Sequence, residues 1–357
     1  MKIIHTSDLH LESPLTSRLP SDKAVIRARE LEESFAALCR KSEELGAEAM
    51  IIAGDMFDTE RISARGIDTV LTIIRRHPDI KFLYLPGNHE GDAISRATSA
   101  LPENLSLFSK DWTYFYLGDI RIAGRSETAR NMMDTIEPSE YKTIAVLHGE
   151  LRDRSDSGGV IGAGELDGRG VDYYALGHYH SYTVRKVGRS SVAVYCGTPE
   201  GRGFDEAGEC GFVLIDTDGT ATTHKFIPSA RRRQLIFDID ISSALSNSDI
   251  EALISEATAD AGRENLLRIV LRGKRDPMLK INTNIIEARF SSKFFYFEIK
   301  DKSTLRLDEN SLIFDKSLKG EFFRLCLSDE SISDEERQHI IDCGYAALSG
   351  EPWEVKV

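Results

Sequence analysis

The chain has 357 residues, of which 41% are hydrophobic and 29% are charged, and its formal net charge is −13. This length and composition are typical of a folded globular protein of about two domains. The short apolar start, Ile3-Ile4, does not predict a signal peptide, and no run of about 18 apolar residues predicts a membrane-spanning helix. The five cysteines form no C-x-x-C pair, which is typical of reduced thiols in a cytoplasmic protein.

The negative charge argues at first against nucleic acid as a partner, because phosphates repel an acidic surface. Residues 301–357 hold 7 Lys/Arg and 13 Asp/Glu, a net charge of −6, so the first 300 residues carry only −7. Those 300 residues also contain basic clusters, each interpreted as solvated surface: Arg75-Arg76, Arg152 with Arg154, and Arg231 to Arg233. The charge distribution therefore leaves nucleic acid open.

Up to about residue 225, short β-rich runs repeatedly end in turns with glycine and polar residues. The pattern predicts strands at 49–53, 81–85, 143–147 and 173–176. It predicts helices at about 22–45, with Ser21 as N-cap and Gly46 as the stop, and at about 63–76. Three further strands, at 121–124, 192–196 and 212–216, are predicted to be antiparallel, with a turn at Asp218-Gly219 and a flexible loop at 155–164.

Near Pro228 the pattern changes to a smaller βαβαβ unit. Strands are predicted at 233–241, 266–273 and 294–300, and helices at 249–261 and about 281–291. Beyond Asp308 we expect two amphipathic helices. One is predicted to carry Leu318, Phe322, Leu325 and Cys326 on a single face, and the other Ile341, Tyr345 and Leu348.

Ionisable residues gather where the predicted strands end. Asp8 and His10 follow the first strand two positions apart, a spacing that places both side chains on one face of an extended chain. Five of the nine histidines stand at strand ends, where α/β folds bind ligands. The complete set is Asp8, His10, Asp55, Asn88, His89, His148, His178 and His180.

These residue types predict divalent cations. Carboxylate, imidazole and amide groups are ligands for borderline-hard ions, and no cysteine takes part, which disfavours a structural zinc site. Even seven ligands from this set of eight residues are too many for one tetrahedral ion. They suit two ions that lie about 3.5–4 Å apart and share a carboxylate, an arrangement that catalyses phosphoryl displacement.

The motifs resemble those of the calcineurin-like metallophosphoesterases, whose five blocks occur here in order over residues 1–180. Within that superfamily, the opening HTSDLHLE and the layout after His180 look like the SbcD-type DNA repair exonucleases. The G-R-x-F-x-E-x-G segment is similar to their YhaO-like bacterial branch. The blocks are D-x-H (Asp8, His10), G-D-x-x-D (Asp55, Asp58), G-N-H-E (87–90), His148 and G-H-x-H (177–180).

The resemblance implies a role for each residue. Asp8, His10 and His180 would hold one metal ion, and Asn88, His148 and His178 the other, with Asp55 and a hydroxide bridging both. His89 would be the catalytic residue that contacts the scissile phosphate and assists the leaving oxygen. Asp58 is given at most an outer role, and the ions of the relatives are usually Mn²⁺.

The expected fold is α/β (α+β): a two-layered β-sandwich core with flanking helices, a small βαβαβ capping domain and a helical tail. The expected domains are 1–228 for the phosphoesterase, 229–300 for a cap that borders DNA, and 301–357 for the tail. The expected function is a cytoplasmic, manganese-dependent DNA exonuclease or endonuclease acting in DNA repair.

The resemblance also implies partners. It implies an SbcC-type coiled-coil ATPase that binds the tail, and it leaves a homodimer open. A phosphodiesterase of small nucleotides or phosphoproteins is the alternative function. The acidic surface favours this alternative, whereas the predicted cap disfavours it, because a small-molecule enzyme needs no appended domain. A non-catalytic scaffold is a third function and is disfavoured by the intact ligand set.

Overall fold

The computed structural model describes residues 1–15, 19–58, 62–87, 94, 101–128, 131–154, 159–217, 221–306, 309–329 and 331–348. The chain divides into two compact units, Met1–Gln234 and Leu235–Val357. No helix among the described residues is long and apolar enough to cross a membrane.

The first unit begins with alternating strands and helices and continues mostly as strands. Among the residues that the structure describes, its α-helices are α1 (Ser21–Glu44), α2 (Ala64–Arg75) and α3 (Ala163–Leu166). Its strands are β1 (Lys2–Thr6), β2 (Ala49–Ala53), β3 (Lys81–Leu85), β4 (Leu105–Leu107), β5 (Thr113–Leu117), β6 (Ile120–Gly124), β7 (Lys142–His148), β8 (Glu150–Arg152), β9 (Val160–Gly162), β10 (Tyr173–Gly177), β11 (Thr183–Val187), β12 (Ser191–Tyr195), β13 (Gly211–Thr217) and β14 (Thr222–Pro228).

Two six-stranded sheets form the core of this unit. The first sheet has the strand order β14-β13-β1-β2-β3-β4, and the second has the order β11-β12-β10-β7-β6-β5. Apolar side chains of both sheets, such as Ile3, Ile51, Ile144 and Val146, are almost completely buried in one cluster. The two-layered α/β sandwich predicted from the sequence is therefore confirmed.

Helices α1 and α2 cover the outer face of the first sheet. Phe35 of α1 and Leu71 of α2 share a buried cluster with Ile52 and Phe82 of the strands. Because these strands are buried on both faces, they read as continuous apolar runs and not as alternating ones.

The ends of α1 differ partly from the prediction. Ser21 is the first helical residue and not the N-cap; Pro20 occupies the cap position with an extended backbone, where its missing N–H costs no helical hydrogen bond. Gly46 follows the helix with a φ of +69°, the left-handed conformation that ends helices most readily at glycine. Ser63 caps α2 by accepting a hydrogen bond from the Gly66 amide.

Two other predictions for this unit need correction. Strands β6 and β12 are not purely antiparallel, because β6 pairs in parallel with β7 and β12 in parallel with β10. The segment predicted as a flexible loop contains β9 and the start of α3, and β9 pairs in parallel with β8. Its glycine-rich composition hid a short strand whose residues are buried. The turn predicted at Asp218-Gly219 lies outside the described residues.

The second unit has a small sheet covered by helices. Its sheet order is β15-β16-β18, with β16 and β18 parallel. A capping box at Ser246 and Asp249 starts its first helix. Its strands are β15 (Gln234–Asp240), β16 (Leu266–Arg272), β17 (Lys274–Arg275), β18 (Tyr296–Asp301) and β19 (Thr304–Leu305), and its helices are α4 (Asn247–Ala257), α5 (Thr283–Phe290), α6 (Glu309–Phe314), α7 (Leu318–Ser328) and α8 (Asp334–Leu348).

The predicted apolar face of α7 is wrong in part. Leu318 and Leu325 are 69% and 61% exposed, whereas Phe323, which the prediction left out, is buried with Cys326 and Ile341. Apolar residues occur on both sides of this helix, so its sequence alone does not select the buried side. Between residues 309 and 348, the part of this segment that the structure describes apart from residue 330, there are three helices and not two.

A buried arginine joins α1 to the segment after β12. The guanidinium of Arg27 is fully buried and donates hydrogen bonds to Glu30 at 2.5 Å, to Glu200 at 2.6 Å and to the Gly201 carbonyl at 2.7 Å. Removing one partner from a buried ion pair leaves an uncompensated charge, which is more costly than losing an exposed pair.

We predict that Arg27→Met lowers the free energy of unfolding by about 3–5 kcal/mol. Arg29→Met is the matched control, since Arg29 lies two residues away on the same helix with its side chain 80% exposed and paired to Glu33. That control should cost less than about 1 kcal/mol. Urea titration followed by circular dichroism measures both variants. Equal losses in the two variants would contradict a structural role for Arg27.

Candidate metal centre

The first two candidate ligands lie beyond strand β1, in an unusual backbone conformation. Asp8 and His10 have φ values of 52° and 46°, so the strand-face argument that predicted their proximity is wrong. The Asp8 amide donates to the Gly54 carbonyl at 3.1 Å and the His10 amide to the Asp55 carbonyl at 3.0 Å. This pairing with the segment after β2 is what directs both side chains into the site.

The remaining described candidates follow strands of both sheets. Asp55 follows β2 with a φ of +50°, His148 ends β7, and His178 and His180 follow β10. Because parallel strands end at the same edge of each sheet, these side chains converge there. Asn88 and His89 lie outside the described residues.

The ligand atoms form two overlapping groups of three. The first triad is Asp8, His10 and His180, and the second triad is Asp8, Asp55 and His148; within each, the candidate ligand atoms lie within 4.8 Å of one another. The Nε2 atoms of His10 and His180 are 3.1 Å apart. Asp8 therefore belongs to both groups.

Asp55 lies between the two triads. Its Oδ2 is 3.3 Å from His148 Nε2 and 4.0 Å from His10 Nε2. His178 belongs to neither triad. Its ring lies edge-on to that of His148 with centroids 5.5 Å apart, and its backbone amide donates to both oxygens of Asp8 at 3.1 and 3.0 Å.

The hydrogen-bond partners of the histidine rings make these residues suitable ligands for a cation. His180 Nδ1 donates to Glu206 at 2.8 Å, His148 Nδ1 donates to the Ala53 carbonyl at 2.8 Å, and His10 Nδ1 lies 3.0 Å from Asp58. These acceptors take the Nδ1 protons, so each Nε2 is the nitrogen that faces the centre and binds a cation once it carries no proton. The Nε2 atoms of His10 and His180 face each other at 3.1 Å, a separation at which one cation can be coordinated by both nitrogens.

Negative charge dominates the site in the absence of a cation. Burial acts to lower the pKa of His148, but the hydrogen bond with Asp55 and the charge of Asp8 outweigh it and raise the pKa to about 9. Burial likewise opposes the charge of His180, whose pKa is nevertheless raised by Glu206. A cation that binds His148 at neutral pH must therefore displace a proton.

The sequence prediction missed two buried residues next to the first triad. Arg202 and Glu206 are 5% and 3% exposed, and they lie on the connection between β12 and β13. Burial acts to raise the pKa of Glu206, but hydrogen bonding to His180 and the charge of Arg202 lower it to about 2. The only signal for them was the G-R-x-F-x-E-x-G segment, which carries an arginine and a glutamate four positions apart.

Two glycines allow the sheets to approach at the site. A Cβ atom at Gly177 would lie 1.9 Å from the Ala53 carbonyl oxygen, and one at Gly54 would lie 2.1 Å from His148 Nδ1. Gly54 also has a φ of +94°. Any larger residue at either position would displace the groups that form the second triad.

Comparison with known proteins agrees with this site. The model of the family "Calcineurin-like phosphoesterase" matches residues 1–182. The chain therefore belongs to the calcineurin-like phosphoesterases, and it is a hydrolase that acts on phosphoester bonds. Enzymes of this family use dinuclear divalent metal centres, in keeping with the two triads.

Several individual proteins are similar to the chain. The DNA double-strand break repair protein Mre11 of Sulfurisphaera tokodaii is 23% identical over 96% of this chain and 92% of its own length. The uncharacterized metallophosphoesterase YhaO of Bacillus subtilis is 25% identical over 76% of this chain and 72% of its own. A dimetal phosphatase structure from Danio rerio has a TM-score of 0.41 and 10% identity over 63% of this chain and 95% of its own.

We predict that Gly54→Ala weakens binding of a divalent cation by about tenfold or more, because the new methyl group displaces the His148 imidazole. Gly46→Ala is the matched control: its φ is also positive, at +69°, but nothing lies within 4 Å of the added Cβ. Both variants carry similar backbone strain, so isothermal titration with Mn²⁺ isolates the effect of the clash. Equal affinities in the two variants would contradict this account of the site.

Proposed function

We propose that the protein is a manganese-dependent nuclease that hydrolyses DNA phosphodiesters in DNA repair. The observation that carries the proposal is the pair of triads that share Asp8 at the meeting edge of two sheets. The choice of DNA is supported by the similarity to Mre11, which extends over 96% of this chain and so includes the second unit. A small-molecule diesterase needs no such additional unit.

The proposed ligand assignment follows the motif order. The two triads support it for the first ion and for Asp55 and His148, and the motif order alone supports it for His178 and Asn88. Asp8, His10 and His180 would hold one ion; His148, with His178 and Asn88, would hold the other. Asp55 would bridge them, which its position between His148 and His10 supports. When bound, two divalent ions would offset the phosphate charge and would lower the pKa of a water at the site, so that it could attack as hydroxide. Carboxylate and imidazole donors suit Mn²⁺.

The proposed catalytic residue is His89, which would contact the scissile phosphate and assist the leaving oxygen. This role rests on the G-N-H-E motif. Two arginines of the basic cluster near residue 231 have structural partners, since Arg231 and Arg232 pair with Glu30 on α1. The five free cysteines support a cytoplasmic location.

One observation favours a second candidate function. The net charge of −13 opposes binding to a polyanion and is compatible with a phosphodiesterase of small nucleotides. An SbcC-type ATPase partner would supply part of the DNA grip that this chain lacks. We propose that this partner binds the exposed apolar side of the tail, where Phe314, Leu318 and Leu325 are 81%, 69% and 61% exposed.

The nuclease proposal predicts that purified protein with Mn²⁺ cleaves end-labelled linear duplex DNA, and that EDTA abolishes the cleavage. Bis(p-nitrophenyl) phosphate serves as the small diester in a parallel assay. Cleavage of the small diester without cleavage of DNA would favour the second candidate. Failure to cleave either substrate with Mn²⁺ would reject the nuclease proposal.

Two variants separate metal binding from catalysis in the same assay. Asp55→Ala should lose both ions and all activity, because it removes the shared ligand. His89→Asn should keep two ions per chain and lose about 10²–10⁴-fold in kcat, as expected when a positioned acid is removed. Metal content by mass spectrometry under native conditions distinguishes the variants. Loss of metal in step with activity in His89→Asn would refute its proposed role.

The partner proposal predicts that Leu325→Glu abolishes co-purification with the SbcC-type ATPase of the same organism. Leu245→Glu is the control, since Leu245 is an apolar residue of the second unit that is 79% exposed. Both variants should cleave DNA without the ATPase as the unmodified chain does. A complex that survives Leu325→Glu, or is lost equally with Leu245→Glu, would contradict the proposed surface.

A further inference from the structure

Arg202 links the supports of two histidine ligands. Its Nη1 donates to Asp58 Oδ1 at 2.7 Å, and its Nε and Nη2 donate to Glu206 Oε1 at 3.0 and 2.7 Å. The same Asp58 oxygen lies 3.0 Å from His10 Nδ1, and the same Glu206 oxygen accepts from His180 Nδ1 at 2.8 Å. One guanidinium therefore fixes both carboxylate atoms that contact the rings of the first triad.

The surrounding contacts hold this group rigidly. The Arg202 amide donates to the second oxygen of Glu206 at 2.6 Å, and Ser13 donates to the second oxygen of Asp58 at 3.1 Å. The planar fork of arginine can bond two carboxylates at a fixed separation, which a lysine cannot do. The Arg202 side chain thus bonds both supports and links the position of one imidazole to that of the other.

The second triad has no equivalent among the described residues. His148 Nδ1 donates to the backbone carbonyl of Ala53, a neutral acceptor whose position is set by strand β2. The first triad is therefore supported by two carboxylates and one arginine, a net charge of −1, and the second by a backbone dipole. A carboxylate acceptor makes an imidazole a stronger metal ligand than a neutral acceptor does.

We infer that Arg202 is a positioning residue for the first triad, acting through Asp58 and Glu206 on His10 and His180. The inference deepens the proposed function, because it assumes that the triads bind cations. For the loss of Arg202, this inference predicts a change in cation affinity of opposite sign to the change that charge alone predicts. Removing a positive charge beside a cation site should strengthen cation binding if charge alone mattered, whereas loss of positioning should weaken it.

The test measures Mn²⁺ binding by isothermal titration without substrate, so it stands apart from the nuclease assay. Arg202→Met is compared in two backgrounds that each disable one triad. In His148→Ala, which leaves the first triad, Arg202→Met should weaken Mn²⁺ binding about 10–100-fold. In His10→Ala, which leaves the second triad, the same substitution should change binding by less than about threefold. In the His148→Ala background, the Mn²⁺ affinity of Arg202→Lys should lie between that of the chain with Arg202 and that of Arg202→Met.

Controls separate positioning from folding. Arg232→Met removes another largely buried arginine, whose ion pair is with Glu30, and should leave Mn²⁺ binding unchanged. If Arg202→Met does not fold by circular dichroism, Glu206→Gln serves instead, since it removes the charge behind His180 and keeps the side-chain shape. Stronger binding, equal weakening in both backgrounds, or full affinity in Glu206→Gln would overturn the inference. Failure of all chains to bind Mn²⁺ would instead reject the proposed function.

Discussion

The site depends on how closely the two sheets approach at one edge. His148, from the second sheet, donates to the carbonyl of Ala53 in the first sheet at 2.8 Å. Gly177 permits this contact, because its missing Cβ would overlap the same carbonyl oxygen. In most sandwiches the sheets are about 10 Å apart and side chains fill the space between them. Here backbone and imidazole meet directly, and ligands from both sheets reach a common centre.

The connection between β12 and β13 secures that meeting point. It leaves the second sheet, passes the site with Arg202 and Glu206, and enters the first sheet at β13. Before it reaches the site, Glu200 and Gly201 accept hydrogen bonds from the buried Arg27 of α1. Ionic contacts thus hold a segment that has little regular secondary structure, and they do so where the histidines need support.

The sequence predicted the members of the site better than their supports. Asp55 and His148 could be found because each ends or follows a buried strand, and parallel strands present their carboxyl ends together. The backbone conformation of Asp8 could not be predicted from the sequence, since a positive φ at a non-glycine residue is set by tertiary hydrogen bonds. Arg202 and Glu206 escaped for a similar reason: no hydrophobic period marks an irregular connection. In α7, apolar residues on two sides left the buried face undetermined, and Phe323 was missed.

The position of β1 in its sheet has a consequence for how the protein is made. Strand β1, which leaves the ribosome long before β13, lies between β2 and β13, and Lys2 pairs with Asp216. Strand β1 therefore cannot pair with β13 until more than 200 further residues have been synthesised. Contacts between residues so far apart in the sequence slow folding. During that interval β1 keeps an unpaired edge, the kind of surface that chaperones protect. Because Glu206 precedes β13 by only a few residues, the support for His180 arrives at nearly the same late moment, and a nascent chain cannot acquire a complete centre early.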